Sequence, residues 1–184
     1  MKPRNLLFVL AILALSTGTS EARRRRSMGE SNYVANGKFG LGLELGAPFG
    51  LNGKYFLDDS HALNFGVGEV YDGYYGDYNR DGIHLYLDYM WHPFVLGRPE
   101  PFQVPFFIGV GGRIWDFNDR DRTNDDGFAV GARCPIGIAL DFNKVPLDIW
   151  FQFTFVADVF ANRYRDDRFG LHLEGSIGIR YWFD

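Results

Sequence analysis

The sequence predicts an all-β protein, an antiparallel up-and-down transmembrane β-barrel of eight strands. From Phe39 onward, apolar positions alternate with polar or glycine positions in segments of about ten residues, the period of a strand whose two faces meet different surroundings. Glycine contributes 23 of 184 residues, well above the ~7% of an average protein, and aromatic residues make up 17%. About eight such segments are present, the strand number of the smallest membrane-spanning barrels.

The first four segments each set an apolar face against a face of glycine and polar residues. They cover residues 39–45, 51–57, 62–71 and 83–92. The fourth is the most regular, because every second residue from Ile83 to Trp91 is apolar. The opposite face of these segments carries the following charged or hydrogen-bonding residues: Glu44, Asn52, Lys54, Asn64, His84, Tyr86, Asp88 and His92. Each segment is therefore predicted to be a strand with one apolar face and one polar face.

The second four segments repeat this pattern over residues 106–114, 128–141, 147–157 and 169–183. Their apolar faces are rich in Phe, Ile and Leu, and their other faces carry glycine and a few charged residues. Pro135 lies within the sixth segment, where it removes a hydrogen bond of the strand ladder. We therefore expect a β-bulge at this residue.

The two faces can be arranged in two ways. A soluble lipid-binding barrel would turn its apolar face inward around a ligand, whereas a membrane barrel would turn that face outward. An eight-stranded barrel has an interior just wide enough for its own side chains. The many large apolar residues would crowd that space, while glycine and paired charges fit, so the sequence favours the membrane barrel.

The chain starts with the features of a secretory signal peptide at residues 1–22. Lys2 and Arg4 precede the apolar run 6–15, and small residues flank Glu21 at a cleavage site after Ala22. The run is about half of the ~20 residues that a membrane-spanning helix needs. We expect residues 23–37 to be a flexible periplasmic segment and residues 38–184 to be the barrel domain. The basic run 23–26 is interpreted as a solvated tail, with a patch for anionic partners as the alternative.

The charge balance restricts the partners. The formal net charge is −4, and it becomes one unit more negative when the signal peptide, with Lys2, Arg4 and Glu21, is removed. A mildly acidic chain does not predict a nucleic-acid partner. Cys134 is the single cysteine and cannot form an internal disulfide. We expect a monomer.

The lengths of the connections predict an orientation in the membrane. Short turns at 58–61 and 143–144 suit the periplasmic side, together with a longer stretch at 93–103. The outer side would carry the short loop 47–50 and the longer charged connections 71–82, 118–127 and 160–168. Aromatic residues close to the periplasmic strand ends are typical of an interfacial girdle. They are Phe39, Trp91, Phe106, Phe142, Tyr181 and Phe183.

Charged residues on the polar faces are the candidate functional residues. We predict a luminal ion-pair network formed by Glu44, Lys54, Asp88, Arg113, Arg133, Asp141, Glu174 and Arg180. Left unpaired, each would be costly inside a narrow barrel. The first interpretation is a set of salt bridges that plugs the lumen. The alternative is a narrow gated pore whose conductance depends on exchanging those partners.

The sequence does not favour an enzyme. His172, Glu174 and Ser176 offer the residue types of a nucleophile, a base and an orienting group, but they alternate along one strand face. That spacing leaves them about 6 to 7 Å apart and pointing away from a lipid substrate. The histidines have no metal-ligand spacing, and the acidic residues 119–126 lack the final glutamate of a calcium loop. We expect no catalytic residue, no metal and no cofactor.

Four runs of the sequence carry a resemblance to a known family: FGLGLELGAPFGLNGKYFL, PFFIGVGGRIW, VPLDIWFQ and GSIGIRYWF. They resemble small, largely uncharacterised outer-membrane barrels of Gram-negative bacteria related in architecture to the OmpA and OmpX class. The resemblance covers nearly all of the chain after the signal peptide. It implies an outer-membrane location, contact with outer-membrane lipids and lipopolysaccharide, and insertion by the barrel-assembly machinery.

The last segment is similar to the assembly signal of such barrels, with Ser176, Gly178, Tyr181 and Phe183 at the expected spacing and Asp184 as one extra residue. The resemblance implies hardly anything about activity, since function depends on sites and not on folds. We therefore predict a porin-like barrel with a structural or surface-interaction role and a plugged lumen. The alternatives are the narrow pore and, third, the soluble secreted lipid-binding barrel.

Overall fold

The computed structural model describes residues 33–71, 80–119, 127–161 and 169–183. They form eight strands: β1 (Phe39–Gly46), β2 (Phe49–Phe56), β3 (His61–Tyr71), β4 (Arg80–Gly97), β5 (Phe102–Asp119), β6 (Gly127–Phe142), β7 (Leu147–Ala161) and β8 (Phe169–Phe183). Each strand pairs antiparallel with the next, and β1 also pairs with β8, so the sheet closes on itself. The predicted all-β, up-and-down barrel of eight strands is confirmed. The predicted signal peptide, the basic run 23–26 and most of the three connections predicted to be long outer loops lie outside the described residues.

Within the described ranges, no helix is long and apolar enough to cross a membrane.

The alternation along each strand sorts the side chains between the two surfaces of the barrel. Leu43, Leu87, Phe153 and Ile179 are 56%, 55%, 63% and 45% exposed on the outer surface. Charged and amide side chains of the alternate positions are buried inside. The arrangement with the apolar face outward is therefore the observed one.

The prediction of a long periplasmic connection over residues 93–103 is wrong. β4 continues to Gly97 and β5 starts at Phe102, and Gly97 pairs with Val104. The register shifts on both sides of Phe94, between Trp91 and Phe94 and between Val95 and Gly97. Pro93 lies in the first shift, where its missing N–H does not have to be paired.

The prediction of a β-bulge at Pro135 is also wrong. The register between β5 and β6 is the same before and after this residue, since Ile108 pairs with Ile136 and Gly111 with Arg133. The ladder is interrupted there without an extra residue. Gly109 lies opposite, and a Cβ on it would come within 3.1 Å of the Pro135 ring. The absence of a side chain at Gly109 therefore makes room for the proline within a regular strand.

Strands β1 and β2 are the shortest, with 8 residues each, against 15 to 18 for β4 to β8. Their connection is tight, and Gly46 before it has a φ of 128°, which L side chains rarely adopt. Gly46 pairs with Ser176, and β8 continues beyond this pair to Phe169. The outer rim is therefore lower at β1 and β2 than at the later strands.

The turn between β2 and β3 is organised by Asp58. Its Oδ1 accepts hydrogen bonds from the backbone N–H groups of Ser60 (2.8 Å) and His61 (2.9 Å). The Ser60 N–H is the main cause that lowers the Asp58 pKa to about 2.

We predict that this turn contributes stability that depends on pH. Because the folded-state pKa is below the ordinary value of about 3.9, the contribution is present above pH 4 and is lost as the pH falls toward 2. Carboxyl NMR titration of Asp58 measures the pKa directly. Asp58→Ala should remove this part of the pH dependence, and an Asp58 midpoint close to 4 would contradict the prediction.

Candidate functional site

The lumen is filled by the side chains that the alternation turns inward, which are charged and amide groups together with aromatic rings such as Phe107, Trp115 and Trp150. All eight residues of the predicted ion-pair network lie there, each at most 4% exposed: Glu44, Lys54, Asp88, Arg113, Arg133, Asp141, Glu174 and Arg180. They do not form one network. They divide into an ionic cluster, a hydrogen-bonded group around Glu44, and a layer at the mouth of the barrel on the side of the β2–β3 turn, the mouth layer.

The ionic cluster consists of Asp88, Arg113, Arg133, Asp158 and Glu174. Arg113 holds Asp158 through two nitrogens, with Nε to Oδ1 at 2.9 Å and Nη2 to Oδ2, and donates from Nη1 to Glu174 Oε1. Arg133 donates from Nε to Asp88 Oδ1 at 3.2 Å, and its Nη1 lies 3.5 Å from Glu174 Oε2. Glu174 thus links the two arginines, and the cluster joins five consecutive strands, β4 to β8, across the lumen.

Glycines opposite the charged residues make room for this cluster. Gly111 pairs with Asp88 on one side and with Arg133 on the other, and Gly131 lies between Arg113 and Asp158. A Cβ on Gly111 would collide with the Asp88 side chain, and one on Gly131 would collide with Asp158. The glycine-rich face of the sequence is therefore what allows long charged side chains inside eight strands.

Glu44 is held by neutral donors. The Tyr86 hydroxyl donates to Oε2 at 2.6 Å and the Ser176 hydroxyl donates to Oε1 at 2.7 Å. Gln152 Nε2 is a weaker donor at 3.4 Å. The Arg133 guanidinium stacks over the Tyr86 ring at 4.1 Å, so the Glu44 group is coupled to the ionic cluster without an ion pair of its own.

The mouth layer places cations among aromatic rings. Lys54 Nζ lies 2.7 Å from His92 Nε2, and 5.2 and 5.1 Å from the ring centres of Phe56 and Phe107. Arg180 Nε lies 3.5 Å from Asp148 Oδ1.

Aromatic rings and a second carboxylate complete the mouth layer. The Arg180 guanidinium lies 5.4 Å from the Trp182 ring, whose Nε1 donates to Asp148 at 3.2 Å. Asp141 accepts from Gln103 Nε2 at 3.0 Å. Among the described residues, therefore, Lys54 and Asp141 make no ion pair with each other or with the ionic cluster.

Two carboxylates outside the predicted network, Asp148 and Asp158, pair with predicted cations. Both lie on the polar face of the seventh segment, so the alternation was the signal that could have included them. Their partners could not be read from the sequence, because Arg113 reaches across to Asp158 from two strands away. Inward side chains of a closed barrel contact residues on non-neighbouring strands.

Tyr33 lies in the segment 23–37 that precedes the barrel, and its side chain is 3% exposed. Its hydroxyl donates to Asp141 Oδ2 at 3.0 Å. Burial is the main cause that raises the Tyr33 pKa well above 10, so the phenol remains a donor. The described part of that segment, residues 33–37, is thus packed into the mouth of the barrel.

His172, Glu174 and Ser176, the residue types of a hydrolytic site, each contact a different partner. His172 Nε2 lies 3.0 Å from Asp158, Glu174 binds Arg113, and Ser176 donates to Glu44. Within the described part of the chain, no three His, Cys, Asp or Glu side chains are grouped so that they could hold a metal ion.

The four residues of the predicted assembly signal lie on both surfaces of β8. Tyr181 and Phe183 are 48% and 45% exposed outside and contact each other edge to face, with ring centres 5.0 Å apart. Ser176 points inward to Glu44, and Gly178 leaves space for the Trp150 ring. Recognition of this pattern by an insertion machinery stays a prediction.

No protein family matches the sequence, and no curated protein matches it. Among solved structures, the N-terminal β-barrel domain of Pseudomonas aeruginosa OprF is similar, with 16% identity over 78% of this chain and 93% of that domain, and a TM-score of 0.48. The architecture observed here, eight antiparallel strands closed in sequence order, is that of the small barrels that the sequence resembles.

Proposed function

We propose that this protein is an integral outer-membrane barrel with a structural or surface-interaction role, whose lumen is closed by buried ion pairs. One observation carries the proposal: every strand turns large apolar side chains outward and polar ones inward. Each strand contributes at least one apolar residue that is 40% or more exposed, among them Leu43, Leu51, Val67, Leu87, Ile114, Val130, Phe153 and Leu171.

A surface of this kind suits lipid and not water. Soluble monomers rarely expose contiguous apolar patches larger than a few hundred Å². In a bilayer the same belt is the favourable surface, because barrel closure satisfies the backbone hydrogen bonds of every strand. The soluble lipid-binding barrel would need a lumen lined by apolar residues, whereas the aromatic rings inside this lumen pack against buried charged groups.

The rim at the periplasmic end supports this placement. Phe94 and Phe106 stack with ring centres 5.0 Å apart, and Phe39 and Phe183 lie 6.0 Å apart. Trp91 is 47% exposed at the same end. Aromatic girdles of this kind mark the level of the lipid headgroups. As such a barrel the protein would contact outer-membrane lipids and lipopolysaccharide as a monomer and be inserted by the barrel-assembly machinery.

The ionic cluster favours a closed lumen over a pore. The side chains of Arg113, Arg133, Asp88 and Asp158 have no exposed area, and Glu174 has 1%. Opening a conducting path would separate charges that have already lost their water, which costs several kcal/mol per ion. We assign no enzymatic activity, because His172, Glu174 and Ser176 are held apart by different partners.

Two measurements test the proposal. The refolded protein should migrate faster on unboiled than on boiled gels and be recovered in the outer-membrane fraction. In planar bilayers it should show no discrete openings. Recovery in the soluble fraction would exclude the membrane location, while regular openings that change in Glu174→Gln would exclude the closed lumen and favour the narrow pore.

A further inference from the structure

The phenol of Tyr33 occupies a well-defined pocket in the periplasmic mouth. Its hydroxyl donates to Asp141 Oδ2 at 3.0 Å. Its ring stacks on His92 with centres 5.1 Å apart and an angle of 18°, and lies 5.6 Å from the Phe56 ring. The polar end and the aromatic body of one side chain are therefore each matched by a group of the barrel.

The walls of this pocket are held in place without Tyr33. His92 is fixed by Lys54 Nζ on Nε2 at 2.7 Å and by the Ser60 carbonyl on Nδ1 at 3.1 Å. Asp141 also accepts from Gln103 Nε2, and the Phe56 ring packs on Trp182 with centres 5.4 Å apart. Because its walls come from β2, β4, β5 and β6, the pocket exists only in the closed barrel and should persist when the phenol is absent.

Side chains of the barrel bind the backbone of the segment that carries Tyr33, and a side chain of the segment binds the barrel. Gln103 Nε2 donates to the Val34 carbonyl at 2.7 Å, and Asn36 Nδ2 donates to the Phe142 carbonyl at 2.5 Å. Residues 33–36 join no strand among the described residues. Segments with few backbone hydrogen bonds open at a lower free energy than strands of a closed ladder. This segment can therefore leave the mouth while the barrel stays folded.

We propose that the periplasmic mouth is a binding site for a phenol, which Tyr33 fills, and that residues 33–36 form a removable stopper. When the Tyr33 side chain is bound there, the periplasmic end of the lumen is closed to periplasmic solutes. With Tyr33 withdrawn, the mouth layer is open to them and binds a small phenol in its place, while the ionic cluster still blocks ions. The inference rests on the proposed function, since it concerns the lower end of the same closed lumen.

Tryptophan fluorescence tests the stopper. Trp115, Trp150 and Trp182 are at most 2% exposed, whereas Trp91 faces outward. In a Trp91→Phe background, acrylamide should quench the remaining emission weakly. Adding Tyr33→Ala should raise the quenching constant several-fold, because Trp182 lines the opened mouth. The matched control is Tyr55→Ala, a half-buried tyrosine at the same rim that lies outside the lumen.

A rescue experiment tests the ligand class. With excitation at the red edge of tryptophan absorption, p-cresol should restore protection in Tyr33→Ala, and toluene, which lacks the hydroxyl that Asp141 accepts, should restore much less. Tyr33→Phe provides a second variant that keeps the ring and should be quenched to an intermediate extent. Faster migration on unboiled gels verifies that each variant is folded.

The outcomes separate this inference from the proposed function. Equal quenching with and without Tyr33 would overturn the stopper, and equal rescue by toluene and p-cresol would overturn the phenol site in favour of a general apolar cavity. Conductance of the wild-type protein in planar bilayers would overturn the closed lumen, but it would leave the fluorescence result for Tyr33 unaffected.

Discussion

Replacing Arg113 with alanine is expected to destabilise the barrel by about 3–5 kcal/mol, the cost of breaking a buried ion pair by removing one partner. Arg113 is the common partner of Asp158 and Glu174, and none of the three side chains is more than 1% exposed. Without the guanidinium, the Asp158 and Glu174 carboxylates would lose the cation that they share, and Arg133 would still contact Glu174. Urea unfolding in lipid vesicles, followed by tryptophan emission, measures the change.

Two controls separate loss of the pair from loss of packing. Asp116→Ala removes a charge from the exposed face of the same strand and should change the unfolding free energy by less than about 0.5 kcal/mol. Combining Arg113→Leu with Asp158→Asn and Glu174→Gln removes all three charges together and should recover most of the loss. Arg113→Ala with wild-type stability would show that the ionic cluster does not hold the lumen together.

An arginine placed on the apolar belt at Leu87 is expected to destabilise the protein by about 2–4 kcal/mol, the cost at the bilayer midplane. Leu87 is 55% exposed, so its replacement creates no cavity in the lumen. If this surface faced water, the arginine would leave the free energy of unfolding nearly unchanged. The free energy of unfolding in vesicles therefore reports on whether lipid covers this surface.

Leu96 offers a matched control on the same strand. It is 59% exposed, but it lies at the periplasmic end of β4 close to the aromatic rim. Leu96→Arg should cost about 0–1 kcal/mol, because arginine near the interface reaches the headgroups. Equal and small effects at Leu87 and Leu96 would contradict the membrane location, whatever the state of the lumen.

Much of the fold follows from local alternation. The period of two decided which residues of a segment share a face, and the mismatch between bulky apolar side chains and a narrow lumen decided which face lies outside. The strand ends were less predictable. β4 and β5 continue through the proline-rich stretch 93–103, because shifts in pairing tolerate residues that interrupt a ladder. Pro135 produced no bulge, because Gly109 on the neighbouring strand has no side chain and leaves room for the proline ring.

What the sequence determined by itself is therefore the set of inward-facing residues, including all eight of the proposed luminal charges. The tertiary structure alone decided which of them meet: Arg113 with Asp158 and Glu174, Glu44 with the Tyr86 and Ser176 hydroxyls, and Lys54 with His92. It also placed Tyr33 in the periplasmic mouth. The physical reason is that alternation acts within one strand, whereas contacts across a closed lumen depend on the register around the whole ring of strands.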